Sequence, residues 1–221
     1  KVSLVGPSGA GKTTLLRILA AQLQPESGTV KLFGRDTTDI SFGQELSTLV
    51  GVINQQFDLV GNMTVIHNVL AGKLGKWGLF RSLVSMISPQ ESESALAALD
   101  RVGLTGKENM RVANLSGGEQ QRVAVARLIV QDPSIIIADE PVASLDPARS
   151  QEIISLIVDV AESGNKTLIS SIHSSEIIEN FFDRVIAIRQ GSILFDIPTT
   201  ELTDGKLNEL YHLQIGSDTS F

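Results

Sequence analysis

Short apolar runs alternate along this chain with stretches of helical periodicity. Val2 to Val5 is an apolar run that stops at Gly6, which predicts a buried strand. Beyond the glycine-rich segment Gly6 to Lys12, the period of Thr13 to Leu23 predicts a helix, so the chain opens as strand, loop, helix. Thr29 to Phe33 and Leu49 to Ile53 read as further strands. Pro89 to Val102 reads as a helix with Ala95, Leu96, Ala98 and Leu99 on its apolar side, and Gln120 to Val130 as another. Ile135 to Ala138 is wholly apolar between Pro133 and Asp139, the pattern of a strand covered on both faces in a parallel sheet. Ile153 to Ala161 predicts a helix and Thr167 to Ile172 a strand. Val185 to Ile188 and Ser192 to Phe195 flank Gly191 as a hairpin. The alternation predicts an α/β fold, a mostly parallel sheet with helices around it. No repeat, low-complexity tract or linker divides the 221 residues.

Composition narrows the partners. A net charge of −7 with no run of Lys and Arg disfavours a phosphate backbone, so nucleic acid is not an expected partner. The absence of cysteine excludes disulfides and thiolate metal sites. The longest apolar run, Val123 to Val130, is cut by Arg127 and falls short of the roughly 18–20 residues that span a bilayer. The sequence opens at Lys1, without Met and inside an apolar run, so upstream residues are expected to be missing.

Two segments carry chemistry. Gly6-Pro7-Ser8-Gly9-Ala10-Gly11-Lys12-Thr13 fits the pattern G-x-x-x-x-G-K-[ST]. Glycines let successive backbone N–H groups curl around phosphate oxygens, and the next helix points its positive end at the same oxygens. Lys12 reaches the β- and γ-phosphates of ATP, the Thr13 hydroxyl suits Mg²⁺, and Thr14 stands beside it as a further nucleotide contact. The predicted strand at Ile135 delivers Asp139 and Glu140 to a carboxyl-terminal strand end, where open α/β sheets bind ligands. There Asp139 suits a magnesium ion through its waters and Glu140 an attacking water; without the loop, the pair reads equally well as a solvated turn before Pro141.

Leu115-Ser116-Gly117-Gly118-Glu119-Gln120 resembles the LSGGQ signature of the ATP-binding cassette family. Other marks of that family follow in order. Gln55 in Ile53-Asn54-Gln55-Gln56-Phe57 resembles the Q-loop, with Gln56 as rival; Ser144-Leu145-Asp146 resembles the D-loop; His173 resembles the switch histidine. The resemblance spans Lys1 to about Tyr211. It implies a P-loop NTPase core over about 1–60 and 131–221, with the family's helical subdomain over about 61–130. It also implies an ATP hydrolase in which two head-to-tail copies sandwich two ATP molecules. Ser116, Gly117, Gly118 and Glu119 of one copy would face the nucleotide held by the other, and Asp146 would set the geometry between copies. Asp146 has a plainer reading as a helix cap ahead of Pro147. Glu140, His173, Gln55 and Lys12 would carry catalysis, and Thr13, Gln55 and Asp139 would hold Mg²⁺. The family's adenine-stacking aromatic would lie before Lys1.

Met63-Thr64-Val65-Ile66-His67-Asn68-Val69-Leu70 resembles importer cassettes. The apolar insert from Gly75 to Ile87, which holds Trp77, resembles that of phosphonate-importer cassettes, as do Pro141 to Pro147 and Leu210-Tyr211-His212-Leu213. The insert reads either as packing of the helical subdomain or as a docking surface for a permease helix. The implied partners are a second copy, transmembrane permease subunits and, indirectly, a solute-binding protein outside the cell. The chain itself would be peripheral on the cytoplasmic face of a membrane, probing no cargo. Alternatives are a cassette for another solute, or for lipoprotein or cell-division systems, and a soluble member acting on nucleic acid or ribosomes. Lys12 and Ser116 lie too close for the long coiled coils of DNA-repair members. Glu140 and His173 speak against a cassette that cannot hydrolyse ATP.

Overall fold

The apolar runs become neighbouring strands. The computed structural model describes residues 1–41, 43–76, 92–143 and 145–212. Trp77 and the rest of the insert to Ile87, together with Ser144 and Leu213, lie outside the described residues. The strands are β1 (Val2–Val5), β2 (Lys31–Leu32), β3 (Arg35–Asp36), β4 (Val50–Ile53), β5 (Ile135–Asp139), β6 (Thr167–Ser171), β7 (Arg184–Arg189) and β8 (Ser192–Pro198). Six of them form one sheet in the order β4-β5-β6-β1-β7-β8, parallel except for the edge strand β8. β2 and β3 make a separate two-residue hairpin.

The register aligns the carboxyl ends. Ile53 pairs with Ala138, Asp139 with Ser171, and Ser171 with Leu4. The residues just beyond β4, β5, β6 and β1 therefore emerge along a single edge. Those residues are Gln55, Glu140, His173 and Gly6. Ile136, Ile137 and Ala138 are fully buried, as expected of a strand covered on both faces.

The helices are α1 (Lys12–Leu19), α2 (Gln44–Leu49), α3 (Val65–Leu70), α4 (Ser92–Arg101), α5 (Gly117–Gln131), α6 (Pro147–Ser163), α7 (Ser175–Phe181) and α8 (Asp204–His212). α5 buries Val123, Ala124, Val125, Ala126, Leu128 and Val130, and packs on α3, α4 and β4. Full burial of each Val or Leu side chain contributes about 1.5–3 kcal/mol, so α5 is firmly anchored at its carboxyl-terminal half.

Three elements depart from the sequence reading. α1 ends at Leu19 rather than Leu23: Ala21 turns left-handed (φ 54°), and the amides of Gln22 and Leu23 bond back to the Arg17 carbonyl. That closing turn satisfies carbonyls the helix would otherwise orphan. The strand expected over Thr29 to Phe33 shrinks to Lys31–Leu32, because Phe33 (φ 51°) and Gly34 (φ 81°) form the tight turn into β3. α6 begins at Pro147 rather than Ile153. Its polar first turn hides from apolar periodicity, but the Asp146 cap and the proline at its first position mark the start.

Candidate nucleotide-binding site

The loop between β1 and α1 is shaped by its glycines. A Cβ on Gly6 would sit 2.2 Å from the Ile188 carbonyl oxygen, so only glycine lets the loop leave β1 against β7. Gly11 (φ 102°) caps α1 in a conformation that side chains resist. Lys12 opens the helix and turns back: its Nζ donates to the carbonyls of Gly6 (2.7 Å) and Pro7 (3.3 Å). Its side chain is buried at 6% exposure. Burial pulls the ammonium below its ordinary value, while Glu140 and then Asp139 act in the opposite direction. Thr13 and Thr14 are exposed in the first turn, and the Ala10 amide bonds to the Pro7 carbonyl (3.1 Å). Ser8 and Gly9 are exposed at the crest of the loop. Tyr211 of α8 is half-buried against the loop. Burial raises its hydroxyl above the ordinary value, against a hydrogen bond from the Gly6 backbone.

The carboxylates meet a serine and a histidine. Ser171 Oγ, with no solvent exposure, donates to Asp139 Oδ1 (2.8 Å) and accepts from the Glu140 amide (2.7 Å). Glu140 itself is left-handed (φ 47°), a strained turn for a non-glycine residue, and the Ser171 bond holds it. His173 Nε2 lies 2.8 Å from Glu140 Oε1. On the far side, Gln121 of α5 donates to the Pro141 carbonyl (2.9 Å) and clamps the turn. A cavity of about 440 Å³ opens beside Glu140 and His173, walled by Leu145, Gln151 and Ile177.

Two further groups sit elsewhere. Ser116 caps α5, accepting from the Glu119 amide (3.4 Å), and Glu119 Oε2 accepts from the Ser116 amide and hydroxyl (2.8 Å each), a reciprocal capping box. Lys107 grips the other Glu119 oxygen. The Lys107 bond first, then Ser116, hold the Glu119 carboxyl down to about 2. Space above Gly117 and Gly118 is open. Ser116, Gly118 and Glu119 line a cavity of about 200 Å³ that shares no residue with the Lys12 loop. Asp146 caps α6 by accepting from the Arg149 amide (3.1 Å), the plainer of its two readings. Gln55 is exposed in the turn after β4. That turn runs through two left-handed residues, Phe57 (φ 59°) and Asp58 (φ 47°), whose carbonyls accept from the Arg127 guanidinium at 2.7 and 2.8 Å.

One edge of the sheet therefore collects Lys12, Asp139, Glu140 and His173, while Ser116 and its neighbours form a separate surface at the opening of α5. Sequence reading missed Ser171, Gln121, Arg127 and Lys107. Ser171 left a local trace, a polar residue ending a strand beside His173, and Arg127 another, a charge interrupting an apolar run. Magnesium fits the donors: the Thr13 hydroxyl, Gln55 amide oxygen and Asp139 carboxylate are hard oxygens. Among the described residues no three His, Cys, Asp or Glu side chains cluster around a metal position.

A family profile described as ABC transporter matches residues 1–143. The phosphonates import ATP-binding protein PhnC 1 of Nostoc sp. is 44% identical over 216 residues, covering 95% of this chain and 81% of that protein. PhnC 1 of Pseudomonas aeruginosa is 40% identical over 213 residues, covering 96% and 80%. The dimeric post-hydrolysis structure of the ATP-binding cassette MJ0796, bound to ADP and Pi, superposes with a TM-score of 0.75 at 30% identity, over 90% of this chain and 84% of that one. The ADP conformation of the cassette MJ1267 gives 0.79 at 26% identity, over 96% and 87%. The chain belongs to the ABC transporter family. Within it, the chain is an ATP-binding component, an ATP hydrolase coupled to transport.

Proposed function

We propose that this chain is the ATP-binding subunit of an importer of phosphonates or a related phosphorus oxyanion. Two copies would close head to tail on two ATP molecules. The observation that carries the hydrolytic part is the 2.8 Å contact of His173 with Glu140, on the sheet edge that also presents Lys12. The names of the relatives supply the cargo class.

In this reading, backbone N–H groups from Gly6 to Gly11 and the Lys12 ammonium bind the phosphates, with Thr13 and Thr14 at the helix opening. Thr13, Gln55 and Asp139 would hold Mg²⁺, which would supply charge neutralisation to the phosphates. Glu140 accepts a proton from the attacking water, and His173 keeps that carboxylate in place and donates toward the γ-phosphate. Ser171 fixes both carboxylate-bearing residues. The opposite copy contributes the Ser116, Gly117, Gly118 and Glu119 surface, with Asp146 setting the distance between copies.

Residues of about 1–60 and 131–221 form the nucleotide-holding core and about 61–130 a helical subdomain that faces the permease. Arg127, half-buried on α5, ties that subdomain to the Gln55 turn, so the state of the nucleotide would reach the membrane partner through one helix. No helix among the described residues is long and apolar enough to cross a membrane. In this reading work on cargo falls to permease subunits and a solute-binding protein, with this chain on the cytoplasmic face. The test is Glu140→Gln: ATP binding is kept, a nucleotide-bound dimer accumulates and turnover is lost. Hydrolysis at the parental rate would remove Glu140 from its role.

A further inference from the structure

The first turn of α5 presents a contradiction for an anion site. Ser116, Gly117 and Gly118 offer N–H and O–H donors, yet the third helical residue is a carboxylate. Glu119 Oε2 accepts from both the amide and the hydroxyl of Ser116, at 2.8 Å each. A bare carboxylate here would repel a phosphate and hold the one hydroxyl proton that Ser116 has to give. The nearby cations have other acceptors: Arg122 pairs with Glu152 (2.5 Å) and donates to the Val102 carbonyl (2.7 Å), and Arg149 lies 3.4 Å from Asp146. Lys107, from the loop between α4 and α5, is the cation seated on Glu119 Oε1.

We infer that Lys107 is a positioning residue of the second nucleotide-facing surface: it neutralises Glu119 and anchors it, so that the Ser116 hydroxyl is free to turn to a phosphate oxygen of the opposite copy's ATP. The inference rests on the sandwich reading above. The hydrogen bonds balance. When the hydroxyl leaves, Glu119 Oε2 keeps the Ser116 amide and Oε1 keeps Lys107, so neither carboxylate oxygen loses its last partner. Without Lys107 the same turn would leave an uncompensated carboxylate beside a triphosphate, and once at each of the two sites in the dimer.

The test is nucleotide-driven dimerisation of the full chain carrying Glu140→Gln, read by light scattering as the ATP concentration that gives half dimer. Lys107→Ala is expected to raise that concentration about tenfold, and Lys107→Arg, which keeps the charge, by less than about threefold. In a Glu119→Gln background the same Lys107→Ala change is expected to cost less than about twofold, because there is no charge left to neutralise. Affinity of the single chain for a fluorescent ATP analogue without Mg²⁺, set by the Lys12 loop, reports folding and should stay within about twofold. An equal loss from Lys107→Ala with Glu119 or with Gln at that position overturns the inference, as does failure of Lys107→Arg to restore dimerisation. Failure of the Glu140→Gln chain to dimerise with Lys107 intact overturns the sandwich reading itself, and the inference with it.

Discussion

Removing one buried hydroxyl should weaken both the fold and the chemistry. In Ser171→Ala, the Glu140 amide loses its acceptor at 2.7 Å and Asp139 loses a donor at 2.8 Å, at a position with no solvent exposure. A buried N–H left without a partner costs about 1–3 kcal/mol, and with the Asp139 bond lost as well the upper part of that range is expected, about 2–3 kcal/mol. For a chain of this size each kcal/mol lowers Tm by about 2–4 °C, so a fall of about 4–12 °C is expected. Glu140 sits in a left-handed turn (φ 47°) that should relax once its amide is released, carrying the carboxylate away from the position proposed for aligning water. Misplacement on this scale costs about tenfold to a hundredfold in kcat. Nucleotide affinity, set at the Lys12 loop, should hardly change. Urea unfolding, ATP turnover at saturation and nucleotide binding measure the three quantities separately. A stability loss under about 0.5 kcal/mol together with parental turnover would refute the assignment of Ser171 as the brace of the carboxylate pair.

Gly6→Ala and Gly11→Ala should differ in size. The first drives a Cβ into the Ile188 carbonyl at 2.2 Å and should cost about 3 kcal/mol or more in urea unfolding, whereas the second meets nothing and carries only the conformational penalty of φ 102°, about 1–2 kcal/mol. Lys12→Met should lower ATP affinity by about a hundredfold or more in a direct binding assay, because the site's buried cation is lost. Glu119, held down to about 2 from an ordinary 4.5, contributes stability in full above about pH 4.5 and loses it as pH falls toward 2. The stability gap between the parent chain and Glu119→Gln should therefore narrow between about pH 5 and pH 3, and a constant gap would contradict the Lys107–Glu119 assignment.

Residues that act through local pattern were readable from the sequence, and residues that act through tertiary register were not. β1, β5 and β6 appear within one residue of their expected bounds: β5 is wholly apolar from Ile135 to Ala138, and β1 and β6 are short runs built on Val, Leu and Ile. Lys12, Asp139 and Glu140 were legible because each closes a strand or opens a helix next to glycine or an apolar run, whereas His173 was picked out only by the family resemblance. Ser171 meets Asp139 only through the β5–β6 register, which no nearby residue encodes. Lys107 reaches Glu119 from a loop, and Arg127 reads as an interruption in an apolar helix until its two carbonyl partners are seen. α2 and α7, of six and seven residues, are too short to show a period. Asp146 serves visibly as a helix cap, and the dimer role proposed for it would be a property of two copies rather than one.

The central claim is that this cassette burns ATP to drive uptake of a phosphorus oxyanion. It is tested most directly by ATP turnover of the full-length protein reconstituted with its permease in vesicles, with and without a phosphonate-loaded binding protein. Turnover is expected to rise when the loaded binding protein is added, and to stay at the basal rate with the empty one. Robust turnover indifferent to every phosphorus oxyanion offered would contradict the cargo reading and leave only the ATP hydrolase.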